Sequence, residues 1–323
     1  MAALPGRFYD MDLPAMAAPL VAPAADVVRR LWPGFLFART YEIGSATPLV
    51  NPFLGDAGAL IAPAVEAAER GGAQFVVVQN FASPGGPARE LLAPFGFTCV
   101  PIPPTAVIDL PYDCFDDYLA AMRRRYRRRA RETLQQSEEL RAEHVPDFEE
   151  PADELARLWR VVYHRAGEAK REIYTPAFFR EAAKLEEVSV LLMRRRDGSI
   201  ASFALLLADG PWLWFLQCGF EEEAGRQEGA YFRLLYEVIR FGIENGFEQV
   251  DLGPTTLEPK LYAGAVPVPL FAWVRPRRRA LQRVLRAVAA RGLITAPEAA
   301  PHHVFKDAPP SAAELVRRRG LPL

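Results

Sequence analysis

Hydrophobic and polar positions follow two different periods along this chain. Apolar residues recur every three or four positions over 57–70, 113–134, 152–166, 176–185, 229–245 and 277–290, which predicts amphipathic helices. Short apolar runs bounded by Gly, Pro or Asp predict strands at 35–40, 75–78, 97–100, 106–110, 188–194, 200–208, 212–218, 249–253 and 268–274. Helical and extended segments therefore mix along the whole chain, and the predicted fold class is α/β.

One stretch of this pattern occurs twice. A glycine, a helix, a second glycine and a strand follow in the same order in 55–78 and in 229–252, at a constant offset of 174 residues. Few residue identities accompany the repeat. We therefore expect two units of the same topology, the first of them degenerate: residues 1–110, then 111–275, followed by a basic helix and tail over 276–323.

Composition excludes several classes of protein. The 39 Lys and Arg residues are balanced by 40 Asp and Glu, so a dedicated duplex-DNA binder is not expected, although local basic patches remain open. The three cysteines are far apart and form neither a disulfide framework nor a zinc motif. We see no metal site. The N-terminus lacks the residue order of a signal peptide, and a cytoplasmic location is the expectation.

The segment Arg226–Tyr231 begins a predicted helix after a predicted strand. A helix N-terminus offers free backbone N–H groups and a partial positive charge to an anion. Gly229 and Ala230 are small, so a diphosphate can approach the backbone closely. The alternative is an ordinary helix start after a hairpin.

A wider set of residues carries a family resemblance. The order helix, helix, antiparallel strands, then strand, loop, glycine, helix and strand resembles the GNAT acyltransferase fold. Gly229–Phe232, Val250–Thr256, Lys260 and Gly264–Ala265, preceded by Phe115–Leu119 and an Arg-rich helix, are similar to a bacterial branch related to the Fem peptidoglycan aminoacyltransferases. That branch carries two GNAT units in tandem. The resemblance covers about 110–275, and over 1–110 it depends on the repeat alone.

This resemblance implies a fold and an activity. It implies two GNAT-like units, with mixed, mostly antiparallel sheets flanked by helices, packed side by side, the second carrying the donor site. It implies transfer of an acyl group from a thioester, either acyl-CoA or an acyl carrier, to a primary amine, with no permanently bound cofactor. The corresponding donor-site residues are Gln217, Cys218, Arg226, Gly229, Ala230 and Tyr231. Lys260 matches a family lysine that faces the acyl-transfer centre.

Acyl transfer needs a proton acceptor for the amine and donors for the developing oxyanion. Backbone N–H groups of 216–218 and 250–253 are candidate donors. Asp251 and Glu258 are candidate proton acceptors, and the alternative for Asp251 is to cap the backbone after its strand. Lys260, one of only four lysines beside 35 arginines, offers a compact charge in a loop after that strand.

Two aromatic residues are candidates for the leaving-group end of the reaction. Tyr231 and Tyr262 are candidate donors to a leaving thiolate or alkoxide, with Tyr262 assigned to the substrate site. Core packing is the alternative for both.

Two arginine-rich helices leave other functions open. Seven arginines lie between Arg123 and Arg131, and Arg124 and Arg128 are candidates for binding phosphates of a nucleotide, a carrier-protein arm or tRNA; a solvated face is the alternative. A Fem-like aminoacyl-tRNA-dependent transferase acting on a cell-wall precursor or peptide is therefore one alternative function, and a non-catalytic thioester- or nucleotide-binding module is another. The basic helix at 277–290 has the pattern of a membrane-surface helix, but packing against its own domain is the more common use of that pattern.

Overall fold

The computed structural model describes residues 6–12, 37–44, 58–165, 173–221, 229–296 and 299–321. The chain divides into two compact units, each assembled from separate segments of sequence. The first comprises Met1–Pro104, Val268–Glu298 and Val316–Leu323, and the second comprises Thr105–Pro267 and Ala299–Leu315. The division of the sequence at residues 110 and 275 stays a prediction, since compactness alone does not define a domain.

The first unit contains a mixed sheet with helices packed on it. Its strands are β1 (Gly6–Asp12), β2 (Phe37–Ile43), β3 (Phe75–Phe81) and most of β10 (Val266–Pro276), and they lie in that order in the sheet. The helices α1 (Gly58–Arg70), α2 (Gly86–Leu92) and α9 (Arg279–Ala290) complete its regular structure, together with the end of α10 (Ala312–Arg318). Ile61, Val65 and Leu92 pack against Val76, Val78 and Trp273 to form its core.

The second unit is larger and contains six strands and six helices in its described residues. Its sheet has the order β4, β9, β8, β7, β6, β5. The strands are β4 (Thr98–Asp109, shared with the first unit), β5 (Arg141–Val145), β6 (Val188–Arg194), β7 (Ile200–Asp209), β8 (Trp212–Phe220) and β9 (Gln249–Asp251). The helices are α3 (Phe115–Ala121), α4 (Arg124–Gln136), α5 (Ala152–Arg165), α6 (Pro176–Ala182), α7 (Ala230–Glu244) and α8 (Leu257–Tyr262).

Strand polarity in the second unit matches the alternation of its sequence. The neighbours β4–β9, β8–β7, β7–β6 and β6–β5 are antiparallel, and only β8 and β9 run parallel. Parallel neighbours need a crossover, which α7 provides. Both sides of the central strands are buried, so β6 and β7 are nearly continuous runs of apolar residues rather than alternating ones. The fold is therefore α/β with a mostly antiparallel sheet flanked by helices.

The repeat seen in the sequence corresponds to one local motif in each unit. In the first unit β2 pairs in parallel with β3 over three residues, Thr40–Glu42 with Phe75–Val77, and α1 connects them. In the second unit β8 pairs in parallel with β9 over three residues, Trp212–Trp214 with Gln249–Asp251, and α7 connects them. The motif is shared, whereas descent of the first unit from a GNAT unit stays a prediction.

The long helix predicted from residue 113 to 134 is wrong in one respect. Its apolar stripe is real, but the helix breaks at Met122, whose backbone is extended with ψ 146°. The chain from 304 to 306 pairs there, because the N–H of Arg123 donates to the carbonyl of Val304 at 2.8 Å and the N–H of Lys306 donates to that of Ala121 at 3.0 Å. A contact this distant in sequence leaves no trace in the local periodicity.

Two helices lie where the sequence analysis predicted none. Between the strands predicted at 75–78 and 97–100, α2 begins at Gly86 with Pro87 in its first turn, a position that proline favours. The loop expected after β9 contains α8, so Glu258 and Lys260 lie on a helix. No described helix is long and apolar enough to cross a membrane.

Candidate active site

The parallel pair β8–β9 opens into a wedge. The two strands pair only from Trp212–Trp214 with Gln249–Asp251; β9 then ends, while β8 continues to Phe220. A bulge places one extra residue, Leu216, in β8 opposite β7, because Phe215 pairs with Leu206 and Gln217 with Leu205. Bulges re-aim side chains and backbone groups beside functional sites. Backbone groups of β8 beyond Trp214 thus lie at an edge that β9 no longer covers.

Asp251 closes the narrow end of this wedge. Its side chain is 1% exposed, and its Oδ1 accepts hydrogen bonds from the hydroxyl of Thr105 at 2.5 Å and from the N–H of Gly253 at 2.8 Å. The chain turns sharply after it: Gly253 has φ 79° and Thr256 φ 50°. The carboxylate therefore caps the strand end through Gly253, rather than through Thr255 or Thr256 as the sequence suggested.

Lys260 lies beneath the same turn. Its side chain is almost completely buried, with 2% of the residue exposed, on the inner face of α8. Nζ donates to the carbonyl of Gly253 at 3.0 Å and to that of Thr255. Burial lowers the pKa of this amine to about 8, and the nearby Cys218 and Asp251 oppose that shift. An amine with a pKa near neutrality can both carry charge and exchange a proton.

Cys218 and Tyr231 complete a cluster around the ammonium. Burial raises the pKa of the Cys218 thiol to about 11, and the charge of Lys260 opposes the rise. Burial raises the pKa of the Tyr231 phenol well above its ordinary value, and the nearby Cys218 adds a smaller increase. The thiol and the phenol are both protonated at neutral pH. Cys218, Tyr231, Lys260 and Asp251 therefore form one electrostatically coupled group at the wedge.

The N-terminus of α7 borders this group. Gly229 precedes the helix with φ 61°, a left-handed conformation that glycine adopts without strain, and its carbonyl accepts from the N–H of Arg233 at 3.0 Å. A β-carbon built on Gly229 meets no atom of the described residues within 4 Å. Ala230 is fully buried behind it. Arg226 lies outside the described residues.

Other predicted site residues lie apart from the cluster. The amide of Gln217 accepts from the indole N–H of Trp159 at 3.4 Å and donates to the hydroxyl of Tyr174 at 3.2 Å. These contacts direct Gln217 to the helices α5 and α6 rather than to Lys260. Glu258 is exposed and pairs with Nε2 of His302 at 3.2 Å.

Tyr262, Arg124 and Arg128 lie on the outer surface of the unit. Tyr262 stacks on His302 with ring centroids 4.6 Å apart, and the guanidinium of Arg129 lies 4.1 Å above the tyrosine ring. Arg124 is exposed, and the exposed Arg128 pairs with Glu132 at 3.3 Å. The structure thus shows an aromatic and cationic surface here, which we call the Tyr262 surface: Tyr126, Arg129, Tyr262 and His302.

Thr105 and His302 are site residues that the sequence did not indicate. Thr105 is 146 positions from Asp251, and no local motif marks it. His302 stands in a Pro- and Ala-rich tail, where nothing indicates its contact with Tyr262. Among the described residues, no group of three or more His, Cys, Asp or Glu side chains is placed to hold a metal ion.

One family model matches part of the chain. A family model described as an acetyltransferase (GNAT) domain matches residues 120–260, which include β8, α7, β9 and Lys260. No curated protein sequence matches the chain significantly.

Several solved structures are similar in fold. The C-terminal domain of a proposed lysylphosphatidylglycerol synthetase from Agrobacterium fabrum has a TM-score of 0.52 at 18% identity, with 79% of this chain and 84% of that chain covered. FemX has a TM-score of 0.49 at 15% identity, with coverage of 77% and 83%. L-PGS from Bacillus licheniformis has a TM-score of 0.49 at 13% identity, with coverage of 79% and 82%.

The lowered pKa of Lys260 makes a prediction about stability. Below about pH 8 the folded and unfolded states both carry the proton, and above about 10.5 neither does. Between these values only the unfolded state binds it, so stability rises with pH. The free energy of unfolding of the wild type, minus that of Lys260→Met, should rise by about 3 kcal/mol across this window.

Urea denaturation of both proteins at a series of pH values measures this difference. Subtracting the methionine variant removes the titration of every other group. A difference that stays flat between pH 8 and 10.5 would contradict the pKa assigned to Lys260.

Proposed function

We propose that this chain transfers an acyl group from a thioester donor, acyl-CoA or an acyl carrier, to a primary amine, and the match of residues 120–260 to a family model described as an acetyltransferase (GNAT) domain supports this proposal. The observation that carries the proposal is the wedge between β8 and β9, with a protonated phenol and a buried lysine beside the N-terminus of α7. These features supply the three requirements of the reaction: a phosphate anchor, a site for the carbonyl and a proton source.

The donor is anchored by the start of α7 in this proposal. The first N–H groups of a helix have no partner within the helix, and its dipole favours an anion there. A β-carbon at Gly229 would meet no described atom within 4 Å, which suits the diphosphate of coenzyme A or the phosphate of a carrier arm. The thioester then extends along the uncovered edge of β8, where backbone N–H groups are oriented toward the carbonyl oxygen.

Lys260 acts on the charge that develops during transfer. Its ammonium already donates to two carbonyls of the turn, so it is held in place before the substrate arrives. A positive charge held in a buried site stabilises an oxyanion more strongly than it does in water. Tyr231, which stays protonated, supplies the proton for the leaving thiolate.

Neither carboxylate is well arranged to take the proton of the amine unaided. Asp251 is committed to Thr105 and Gly253, and Glu258 is exposed beside His302. We therefore assign Asp251 to holding the turn above Lys260. In this scheme solvent water accepts the proton of the amine. Glu258 accepts it instead where the acceptor amine lies at that surface.

The donor site is tested at Gly229. Gly229→Asp places a carboxylate where the phosphates bind, and its repulsion should weaken coenzyme A binding at least tenfold, about 1.4 kcal/mol. Gly229→Asn is the matched control, because Asn has the same shape and tolerates positive φ equally but is uncharged. Calorimetric titration with coenzyme A measures both. Equal affinities for the wild type and the aspartate variant would contradict this placement.

The role of Lys260 is tested by turnover. A donor that stabilises only the transition state acts on rate rather than on ground-state binding. Lys260→Ala should lose on the order of 100-fold in single-turnover release of coenzyme A from acetyl-CoA with a panel of primary amines, while donor affinity changes less than about fivefold. Lys260→Arg should restore part of the rate, since its larger planar cation cannot occupy the same point.

Because Lys260 is buried, the thermal unfolding of each variant must be measured beside its activity. A purely structural lysine would lower activity only in proportion to the folded fraction. Since the charged amine is the active form, wild-type turnover relative to the alanine variant should fall as the pH rises through about 8. If Lys260→Ala transfers acyl groups at the wild-type rate, Lys260 has no part in the mechanism. If the wild type binds the donor but shows no turnover, the result supports a non-catalytic binding module instead.

A second candidate donor is an aminoacyl ester on tRNA, with a cell-wall precursor or peptide as acceptor. The Tyr262 surface favours it, because stacked rings beside a cation suit an unstacked base, and the seven arginines of 123–131 lie next to it. Both features belong to the second unit.

The salt dependence of RNA binding tests this second candidate. Each phosphate contact steepens the fall of affinity with salt by nearly one unit of slope. Replacing Arg124, Arg125 and Arg128 by Gln should therefore flatten the slope for tRNA by about two to three units. No tRNA binding by the wild type at low salt, with normal acyl transfer by the triple variant, would exclude the tRNA donor.

A further inference from the structure

The helix α9 presents an uncovered apolar face. None of its residues is buried, and Leu281 and Val284 are 44% and 59% exposed. Leu293, just beyond the helix, is 67% exposed. Only nine large apolar side chains of the described residues are exposed, and three of them lie within 281–293. The sequence favoured packing of this face against its own unit. Leu285 and Val288 are half-buried, whereas the described residues leave Leu281 and Val284 exposed.

The way α9 is attached explains which side stays open. Gln282 anchors the helix, since its amide donates to the carbonyl of Gly96 at 2.5 Å. Leu285 and Ala289, at three and seven positions after Gln282, share that face and are half-buried. Leu281 and Val284 precede Gln282 and Leu285 by one position each, so they form the adjacent, outward stripe.

The charge around this stripe has one sign. Between 277 and 296 the chain carries no Asp or Glu, and it carries six arginines: Arg277, Arg278, Arg279, Arg283, Arg286 and Arg291. The side chains of Arg279, Arg283 and Arg286 have no carboxylate partner among the described residues and follow one another at i, i+4 and i+7, which places them on the side of the helix opposite Leu281 and Val284. This helix therefore combines an apolar stripe with an arginine-rich face on its opposite side.

We propose that α9 binds the surface of an anionic lipid bilayer, with Leu281, Val284 and Leu293 inserted at the level of the headgroups. An interfacial helix has an apolar stripe that inserts at the boundary of headgroups and acyl chains, and an opposite face rich in Lys or Arg. The attraction of an anionic leaflet extends over about 10 Å, which is about the diameter of a helix, so it acts on the arginines of the far face as well. The proposal concerns the first unit only and is independent of the proposed acyl transfer.

Two other occupants fit these observations less well. A second copy of the chain fits less well because the stripe exposes only Leu281 and Val284, with Leu293 just beyond the helix, which is a small apolar area for a stable dimer. Nucleic acid needs the arginines but gains nothing from exposed Leu and Val. The helix α4 has six arginines and no large apolar side chain on its exposed face, which shows how the two kinds of surface differ within one chain.

Vesicle flotation with the full chain tests the proposal. The probes are vesicles of phosphatidylcholine alone and of phosphatidylcholine mixed equally with phosphatidylglycerol. The wild type should bind the mixed vesicles at least about tenfold more tightly, in a salt-dependent manner. Replacing Arg279, Arg283 and Arg286 by Gln should weaken binding on the order of 100-fold, from about fivefold for each charge.

The apolar half of the proposal has its own variant. The double variant Leu281→Gln and Val284→Gln keeps every charge, and its affinity for mixed vesicles should be about tenfold lower than that of the wild type. Replacing Arg124, Arg125 and Arg128 by Gln on α4 removes the same number of charges elsewhere and should leave binding within about threefold of the wild type. Circular dichroism melting shows that each variant is folded.

A reporter on the helix covers the case in which a multiple variant fails to fold. In Val284→Trp, lipids brominated on the acyl chain should quench the added tryptophan. Three results would overturn the proposal: equal binding to both vesicle types, wild-type binding by the Leu281 and Val284 variant, or equal loss in the α4 control. Binding of the wild type to RNA but not to mixed vesicles would also overturn it, in favour of a nucleic-acid surface.

Discussion

The buried ammonium of Lys260 is the constraint on which the candidate site depends. A charge this deep is unfavourable unless the protein supplies partners, and the partners here are the carbonyls of Gly253 and Thr255. Those carbonyls can converge on one point because the turn takes left-handed backbone at Gly253 and Thr256. Asp251 fixes the start of the same turn through the N–H of Gly253. Lysine, turn and carboxylate therefore hold one another in place.

The sheet opens beside this arrangement. β9 ends at Asp251, directly before the turn, and it pairs with β8 over only three residues. A longer β9 would continue the ladder and close the wedge. The bulge at Leu216 lies on the part of β8 that has lost its parallel neighbour. The strand edge available to a substrate thus lies beside the turn that Lys260 stabilises.

Much of the fold could be predicted because local sequence determines it. The helix α7 was expected from Gly229 to about Asn245 and is observed from Ala230 to Glu244, since Gly229 and Gly246 both adopt positive φ at its ends. A family model described as an acetyltransferase (GNAT) domain matches residues 120–260, and most of the residues on which the family resemblance was based lie in that segment. The short helix α8 was missed because it contains a proline and only six residues, too few to show a period.

The arrangement of the site was less predictable than its residues. Lys260 and Asp251 were both named as candidates from the sequence, and the structure brings them to one turn, but nothing local shows that Lys260 is buried or that Thr105 binds Asp251. Gln217 and Cys218 are adjacent in sequence, yet one contacts Trp159 and Tyr174 while the other interacts with Lys260. Side-chain alternation along a strand separates them, and the bulge beside them prevents a simple count from showing which residue faces the wedge.

The choice of lysine at position 260 follows from the same physics. Lys184 and Lys306 are exposed, so Lys260 is the only buried lysine among those described. Arginine would bring a cation that stays charged at any working pH and a planar group too broad for the two carbonyls that converge on Nζ. Lysine can instead lower its pKa toward 8 when buried, which limits the energetic cost of its position. In a chain that uses arginine almost everywhere else, this environment is one that arginine cannot fill.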